Sequence, residues 1–369
     1  MGGASTKLAA CHVSPVFLRA QDTTEKAISF IKEAAKNNAK LVVFPESFIP
    51  AFPIWSALKA PTEKEHHFFF HNMVSESVYI DGEEINAIRA IAKKLNVIVS
   101  IGVSEKVRYS NATLFNSNIL IGDDGEILVH HRKLMPTFYE KLTWAPGDGH
   151  GLQVVETRVG KIGVLICGEN TNPLARYSLA AQGEQIHIST WPAIWPTRLT
   201  KVQDDSKVQD KSPVKEPPDR SNFLDNIFGS NYDNVAANRT RAAAHCFEAK
   251  CFGIMCAGHL SADVMEWLAE LRTPEINSET LKLWPRGATM FLDTTGALLP
   301  GFTINRETSA KKKCDFLQEE EGILYAEIDL SDCVEGKQYH DIAGGYQRFD
   351  VFELKVDRRR REPASFTDE

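Results

Sequence analysis

Three residues with complementary chemistry stand where apolar runs stop. Glu46 follows the run 41–44 and Pro45, Lys133 follows the run 126–131, and Cys167 follows Val164, Leu165 and Ile166. Such runs read as buried strands, and catalytic or ligand-binding groups collect where buried strands end. A thiol is a nucleophile, a carboxylate can take its proton, and a lysine ammonium can stabilise a developing anion; no histidine is required. Beyond Cys167, Gly168 permits a turn, Asn172 is a good N-cap, Pro173 suits the first helical position and Gly183 lies where a C-cap belongs. A cysteine at that junction is near backbone N–H groups and the positive end of a helix dipole. A nearby lysine would act in the same sense, so the thiolate is expected to be favoured. The alternative is one more buried core cysteine, and residues 164–170 alone do not separate the two.

The elements that must position these residues alternate along the chain. A strand over 7–13 leads to a helix with Ala27, Ile28, Ile31, Ala34 and Ala35 on one stripe, opened by an Asp22/Glu25 capping box. Strand 41–44 delivers Glu46 to a loop rich in aromatics and proline that runs to Trp55. A helix bearing His66, His67 and His71 follows. No acidic residue stands between His67 and His71 in a zinc-hydrolase pattern, so these are read as surface or interface histidines. Ile85, Ile88, Ala92 and Leu95 mark an amphipathic helix ending at Asn96. Strand 97–103 precedes a hairpin of 113–121 with 126–131 around Asp123, Asp124 and Gly125, whose second strand runs into Lys133. Strands over 154–157, 161–166 and 185–190, a helix over 232–249, and strands over 251–257, 288–292 and 322–328 complete the pattern.

Hairpins interrupt this alternation, which predicts a layered α/β fold with mixed sheets and not a simple doubly wound sheet. Residues 1–356 read as a single domain with a polar insertion near 201–221. A second variable stretch covers 266–282, and 305–313 reads as a polar loop. Residues 344–356 are expected to be extended and 357–369 to form a basic, disordered tail.

With 369 residues, 43% hydrophobic and 25% charged, the chain can bury a substantial core. A formal net charge of −7 argues against a nucleic-acid partner bound through a general positive field. The basic runs 311–313 and 358–361 are flanked by acidic residues and read as a solvated loop and tail. Seven cysteines without a CxxC pair fit neither a disulfide framework nor a structural zinc site. Cys246, Cys251 and Cys256 recur every five residues and share no face of a helix or strand. No stretch has membrane-spanning length and no signal-peptide core is present, so the reading is a cytoplasmic protein with reduced thiols and no membrane partner. The start, Met1 to Thr6, is read as a glycine-rich leader, although it formally matches a myristoylation pattern.

The blocks Phe44-Pro45-Glu46, His131-Arg132-Lys133-Leu134-Met135-Pro136-Thr137 and Ile166-Cys167-Gly168-Glu169-Asn170 resemble, in order and spacing, the three signature blocks of the nitrilase superfamily. The resemblance extends over most of residues 7–356. Lys133 to Gly149, with Glu140, Trp144 and Gly147-Asp148-Gly149, is more similar to the true nitrilase branch than to the amidase branches. The resemblance implies an αββα sandwich whose subunits pair into an αββα–αββα dimer and extend into spirals or filaments. It also implies Glu46 as general base, Lys133 as the charge-stabilising residue, Cys167 as nucleophile and Glu140 as a second, substrate-orienting glutamate, with no metal or organic cofactor. Two departures bear on substrate range. Gly168 stands where many members have tryptophan, and Gly344-Gly345-Tyr346-Gln347-Arg348-Phe349-Asp350 replaces a glycine-histidine-tyrosine block with its arginine, proline and aspartate.

The implied activity is hydrolysis of a nitrile to a carboxylic acid and ammonia through a cysteine thioimidate and thioester. Trp55, Trp191 and Trp195 each follow a strand end and are candidate pocket walls suited to an aryl or arylaliphatic nitrile, with core or interface packing the alternative for each. An amidase or cyanide hydratase would use the same Glu46, Lys133 and Cys167. An inactive filament or scaffold protein is the alternative from another class, and the presence of all four polar residues speaks against it.

Overall fold

The apolar runs pair into two mixed sheets. The computed structural model describes residues 5–195, 233–270, 284 and 286–364. The expected insertion at 201–221, most of the leader, residues 271–282 of the second variable stretch and the last five residues lie outside the described residues. In chain order the strands are β1 (Thr6–His12), β2 (Leu41–Val43), β3 (Ile98–Lys106), β4 (Leu114–Ile121), β5 (Ile127–Arg132), β6 (Val155–Thr157), β7 (Gly160–Ile166) and β8 (Ile186–Trp191). There follow β9 (Phe252–Ala257), β10 (Thr289–Leu292), β11 (Leu298–Leu299), β12 (Phe302–Ile304), β13 (Lys311–Lys313), β14 (Phe316–Leu317) and β15 (Gly322–Ile328). One sheet has eight strands in the order β13-β12-β15-β1-β2-β3-β4-β5; the other has seven, β11-β10-β9-β8-β7-β6 with β14 beside β10.

Strands β1, β2 and β3 are parallel, as are β7, β8 and β9, while the outer pairs are antiparallel. Parallel neighbours need helical crossovers, which cover the outer faces. Among the described residues the helices are α1 (Ala20–Lys36), α2 (Trp55–Leu58), α3 (Lys64–Glu76), α4 (Glu83–Leu95), α5 (Pro173–Ala180), α6 (Asn234–Ala249), α7 (Ala262–Glu270) and the short α8 (Asp332–Glu335). Period-two alternation sorts the strand side chains. Leu8, Ala10, Leu41 and Val43 face inward against Ile162, Val164, Ile188 and Ile254, whereas Ala9, Cys11 and Val42 face α1 and α4 through Ala27, Ile31, Ile85 and Ile88. On the opposite side Ala242, Cys246 and Ala249 of α6 pack on Met255 and Met290, and Ala175 and Leu179 of α5 pack on Leu165. The result is the αββα sandwich that the resemblance implies.

Several expected details differ. The Asp22/Glu25 box is not the cap of α1; the helix starts earlier, and the Glu76 carboxylate at the end of α3 accepts from Ala20 N at 2.7 Å. The polar loop 305–313 ends in β13, an edge strand whose exposed lysines keep that edge from pairing further. The variable stretch from 266 begins inside α7, whose Val264 and Leu268 pack on Ile54 and Trp284. Residues 344–356 form turns and irregular backbone, not an extended strand. The stretch expected to be a disordered tail is tied down at 360–361: Arg360 donates to Asp148 and to the His130 carbonyl, and Arg361 N donates to Asp148. His67 and His71 are exposed on α3, and His66 is buried. All seven cysteines are free.

Candidate active site

Glu46 sits just past the end of β2, where the chain crosses over β3. A Cβ at Gly102 would lie 2.2 Å from the Pro45 carbonyl oxygen, so only glycine lets residues 45–47 pass this close. Lys133 continues the β4–β5 ladder by one bond, from its N–H to the Asn116 carbonyl at 2.7 Å. Its ammonium is wholly buried and donates to Glu46 Oε1 at 2.8 Å and to Glu140 Oε1 and Oε2 at 2.9 and 2.7 Å. Asn116 Nδ2 adds a 2.7 Å bond to Glu46 Oε1. Glu140 lies on a 3-10 turn, Phe138–Leu142, closed by a capping box in which Thr137 N donates to Glu140 Oε2 at 2.8 Å.

Cys167 leaves β7 with φ of +51°, an uncommon conformation for a residue with a Cβ, and opens the 3-10 turn Cys167–Thr171. Asn172 then caps α5 and Pro173 begins it. The Cys167 sulfur and carboxylate oxygens of Glu46 and Glu140 all lie within 4.8 Å of one another. The four polar residues singled out in the sequence therefore converge. Glu46 Oε1 is committed to Lys133 and Asn116, while Oε2 is buried without a partner. That oxygen is free to receive a proton from the thiol or from water.

The surroundings of Cys167 work against the expected thiolate. Burial pushes the Cys167 thiol well above its ordinary value; Glu46 and Glu140 add to the shift, and Lys133 and the Gly168 N–H pull against it without prevailing. Burial likewise pushes the Glu46 carboxyl up to about 7, with Lys133 opposing and Glu140 reinforcing. Burial alone would discharge Lys133, but the Cys167 sulfur when ionised and the Glu140 and Glu46 carboxylates hold its pKa well above normal. The arrangement is a permanent cation, a thiol, and a carboxyl that changes state near neutrality. It suits proton transfer from sulfur to Glu46 in step with attack on an electrophilic carbon.

A carboxylate outside this set joins two of the blocks. Glu169 accepts from His131 Nε2 at 2.5 Å, from Ile166 N at 3.0 Å and from Leu134 N at 3.1 Å. It thereby ties the segment around Lys133 to the residue preceding Cys167.

The aromatic candidates separate. Trp55 is fully buried in a core cluster with Phe69, Met73, Leu114 and Trp144, the packing position that was the alternative for it. Trp191 is buried beside Ile166 and Cys167 and donates to Ser189 Oγ at 3.2 Å. Trp195 is half-buried and stacks on Tyr139 with ring centroids 4.5 Å apart; Phe52 lies edge-on to both Trp195 and Trp144. The Tyr139 hydroxyl is buried without a partner, and its pKa is raised well above normal by burial and by the charges of Glu140, Cys167 and Glu46. Gly168 is half-buried, and a Cβ there would stand 2.8 Å from Thr137 Oγ1. The missing bulk beside Cys167 is thus matched by a hydroxyl on the facing loop.

Among the described residues two clusters have metal-ligand composition. In Glu46, Glu140 and Cys167 the neighbouring cation is the Lys133 ammonium. In Glu184, His187 and His245 the carboxylate already bonds a nitrogen of each ring. Asn116 and Tyr139 stand outside the three signature blocks, and the blocks alone do not reveal that His131 and Glu169 bond to each other. Polar residues at alternate positions in otherwise apolar strands, as in Asn116 and Asn118 of β4, were the available signal.

A family model for carbon-nitrogen hydrolases matches residues 7–210. The chain is 30% identical over 352 residues to an arylacetonitrilase of Hypocrea virens, covering 95% of this chain and 91% of that one. It is also 30% identical to a cyanide hydratase of Gibberella zeae, over 96% of this chain and 88% of the relative. Among solved structures, the NitFhit protein of C. elegans aligns with a TM-score of 0.62 at 18% identity, over 98% of this chain and 70% of that one. A carbon-nitrogen hydrolase from Helicobacter pylori aligns with a TM-score of 0.58 at 19% identity, over 90% and 92%.

Proposed function

This chain belongs to the carbon-nitrogen hydrolase family, and from that premise we propose that it is a nitrilase, converting an organic nitrile to a carboxylic acid and ammonia. The observation that carries the reading is the buried thiol of Cys167 beside an unpartnered oxygen of Glu46, with Lys133 bridging Glu46 and Glu140. In this mechanism the Cys167 sulfur attacks the nitrile carbon while Glu46 accepts the S–H proton and passes it to nitrogen, giving a thioimidate. Water, deprotonated by Glu46, adds to form a tetrahedral intermediate. Loss of ammonia leaves a thioester, and a second water releases the acid and restores the thiol. Lys133 and the Gly168 N–H stabilise the anionic stages. If the tetrahedral intermediate instead expels the thiol, the product is the amide, and a barrier difference of about 1.4 kcal/mol changes that partition tenfold.

Glu140 holds the Lys133 ammonium in place together with Glu46. Trp195, Tyr139 and Phe52 suit an aryl or arylaliphatic side chain, with Trp191 and Gly168 shaping the region next to sulfur. The relatives named cyanide hydratase support a second reading, in which a very small nitrile is converted only to its amide. Self-association into dimers or longer assemblies is part of the proposal, supported by exposed apolar side chains on α5, α6 and the C-terminal segment, among them Leu174, Phe247, Tyr346 and Phe352. A cytoplasmic location is proposed on the strength of the free cysteines.

The test is a panel of arylacetonitriles, aliphatic nitriles, cyanide and the matching amides, with ammonia, acid and amide all quantified. Acid and ammonia from organic nitriles support the reading. Amide alone from cyanide moves it to hydratase, and ammonia from amides but not from nitriles moves it to amidase.

A further inference from the structure

Behind the turn that carries Cys167 runs a buried polar chain that the mechanism leaves unused. Asn170 Nδ2 donates to the Cys167 carbonyl at 3.0 Å and reaches the Leu165 carbonyl at 3.4 Å, which turns Asn170 Oδ1 toward His187 Nε2 at 2.8 Å. That oxygen and the Glu184 carboxylate facing the other ring nitrogen both only accept, so the bond to Asn170 takes a proton on His187 Nε2 and the bond to Glu184 a proton on Nδ1. The other ring nitrogen of His187 lies 2.9 Å from Glu184 Oε1, and Glu184 Oε2 lies 2.5 Å from His245 Nε2. The two rings stack with centroids 3.8 Å apart. Asn170, Glu184, His187 and His245 are all buried. Space is reserved for the carboxylate: a Cβ at Gly163, on β7 three residues before Ile166, would lie 2.2 Å from Glu184 Oε1. Burial would raise the Glu184 pKa, yet the two histidines hold it down to about 2, so it is an anion throughout the working range.

A buried anion braced by two histidines is an expensive way to fill a core, and apolar residues of similar volume would serve stability at least as well. What this chain supplies is direction. We propose that Asn170, His187 and Glu184 are positioning residues for the nucleophile: Glu184 orients His187, His187 orients the Asn170 amide, and Asn170 holds the Cys167 carbonyl so that the left-handed turn keeps the thiol and the Gly168 N–H aimed at the reacting carbon. The inference rests on Cys167 being the nucleophile.

Two conservative variants at one position separate this role from simple packing. Glutamine places its amide where Nε2 of the imidazole stood and can still donate to Asn170, whereas asparagine reaches only the Nδ1 position beside Glu184. His187→Gln is expected to keep kcat within about threefold, while His187→Asn lowers it about tenfold or more with KM little changed, as loss of alignment alone does. Alkylation of Cys167 by iodoacetamide, followed by mass spectrometry of its peptide, should slow in the same order. Both variants break the buried network, so a merely structural residue predicts equal losses in each, matching their melting temperatures; that outcome overturns the proposal, as does unchanged kcat in His187→Asn. Should His187→Asn fail to fold, Asn170→Ala leaves Glu184, His187 and His245 in place and must show the same loss. Alkylation needs no nitrile, so it tests the positioning chain even where the wild-type protein releases no ammonia from nitriles, a result that would count against the functional reading alone.

Discussion

Replacing Glu140 by glutamine should move the acid limb of the pH–rate profile downward. Glu46 must be deprotonated to act as a base, and burial with the like charge of Glu140 holds its pKa at about 7 against the pull of Lys133. Activity in the wild type should therefore rise as pH increases through neutrality. The interacting oxygens of Glu46 and Glu140 lie within 4.8 Å. Two unit charges at that separation, at an effective dielectric constant of about 20, repel by about 3 kcal/mol, equivalent to about 2 pH units. Glu140→Gln removes this repulsion and also frees Lys133 to act more fully on Glu46. Both effects lower the Glu46 pKa, so the limb should fall by about one to two units, the smaller figure allowing for rearrangement around the ammonium. Maximal kcat should fall as well, because Lys133 loses its bond to one Glu140 oxygen. The assay is kcat/KM for ammonia release across pH 4–9 in wild type and variant, roughly the range over which such a limb is resolved. An acid limb that stays in place, or moves upward, refutes the electrostatic coupling inferred from the geometry.

The remaining predictions address the surroundings of that core. Glu169→Ala leaves the donors of His131, Ile166 and Leu134 without their acceptor, so unfolding free energy should drop by about 3 kcal/mol or more in denaturant titration, with a parallel loss of activity. Tyr139→Phe removes a buried hydroxyl that has no protein partner while keeping the stack on Trp195. If substrate accepts from that hydroxyl, kcat/KM should fall about tenfold with the melting temperature unchanged, and an unaltered kcat/KM removes Tyr139 from the binding site. Gly168→Ala places a methyl 2.8 Å from Thr137 Oγ1 and pushes on the residue whose backbone N–H donates to Glu140 at the start of the turn that bears it. A stability loss of about 1 kcal/mol and a changed acid-to-amide ratio are expected, measured by melting and product analysis.

What was legible in the sequence was local. Apolar runs ending in Glu46, Lys133 and Cys167 announced buried strand ends, and Asn172-Pro173 announced a helix start, because each signal is complete within a few residues. What was not legible depends on residues distant in sequence and adjacent in space. The cap of α1 is Glu76, fifty-six positions beyond Ala20. The orientation of Glu46 depends on Asn116, and the Cys167 turn is held by His187 and Glu184 on another strand and its approach. Proximity to Glu46 in sequence does not choose between pocket and core for Trp55, whereas the fold shows its indole in the Phe69 cluster. The expected thiolate misled for an electrostatic reason: the helix start and Lys133 were visible in the sequence, but complete burial beside two carboxylates was not.

The central claim is that Cys167, served by Glu46 and Lys133, attacks a nitrile carbon. Its most direct test is ammonia and acid release from an arylacetonitrile by the wild-type protein and by Cys167→Ala, with both shown by melting to be folded. The account predicts acid and ammonia in equal amounts from the wild type and none above background from the variant. Equal release by the two proteins would contradict it.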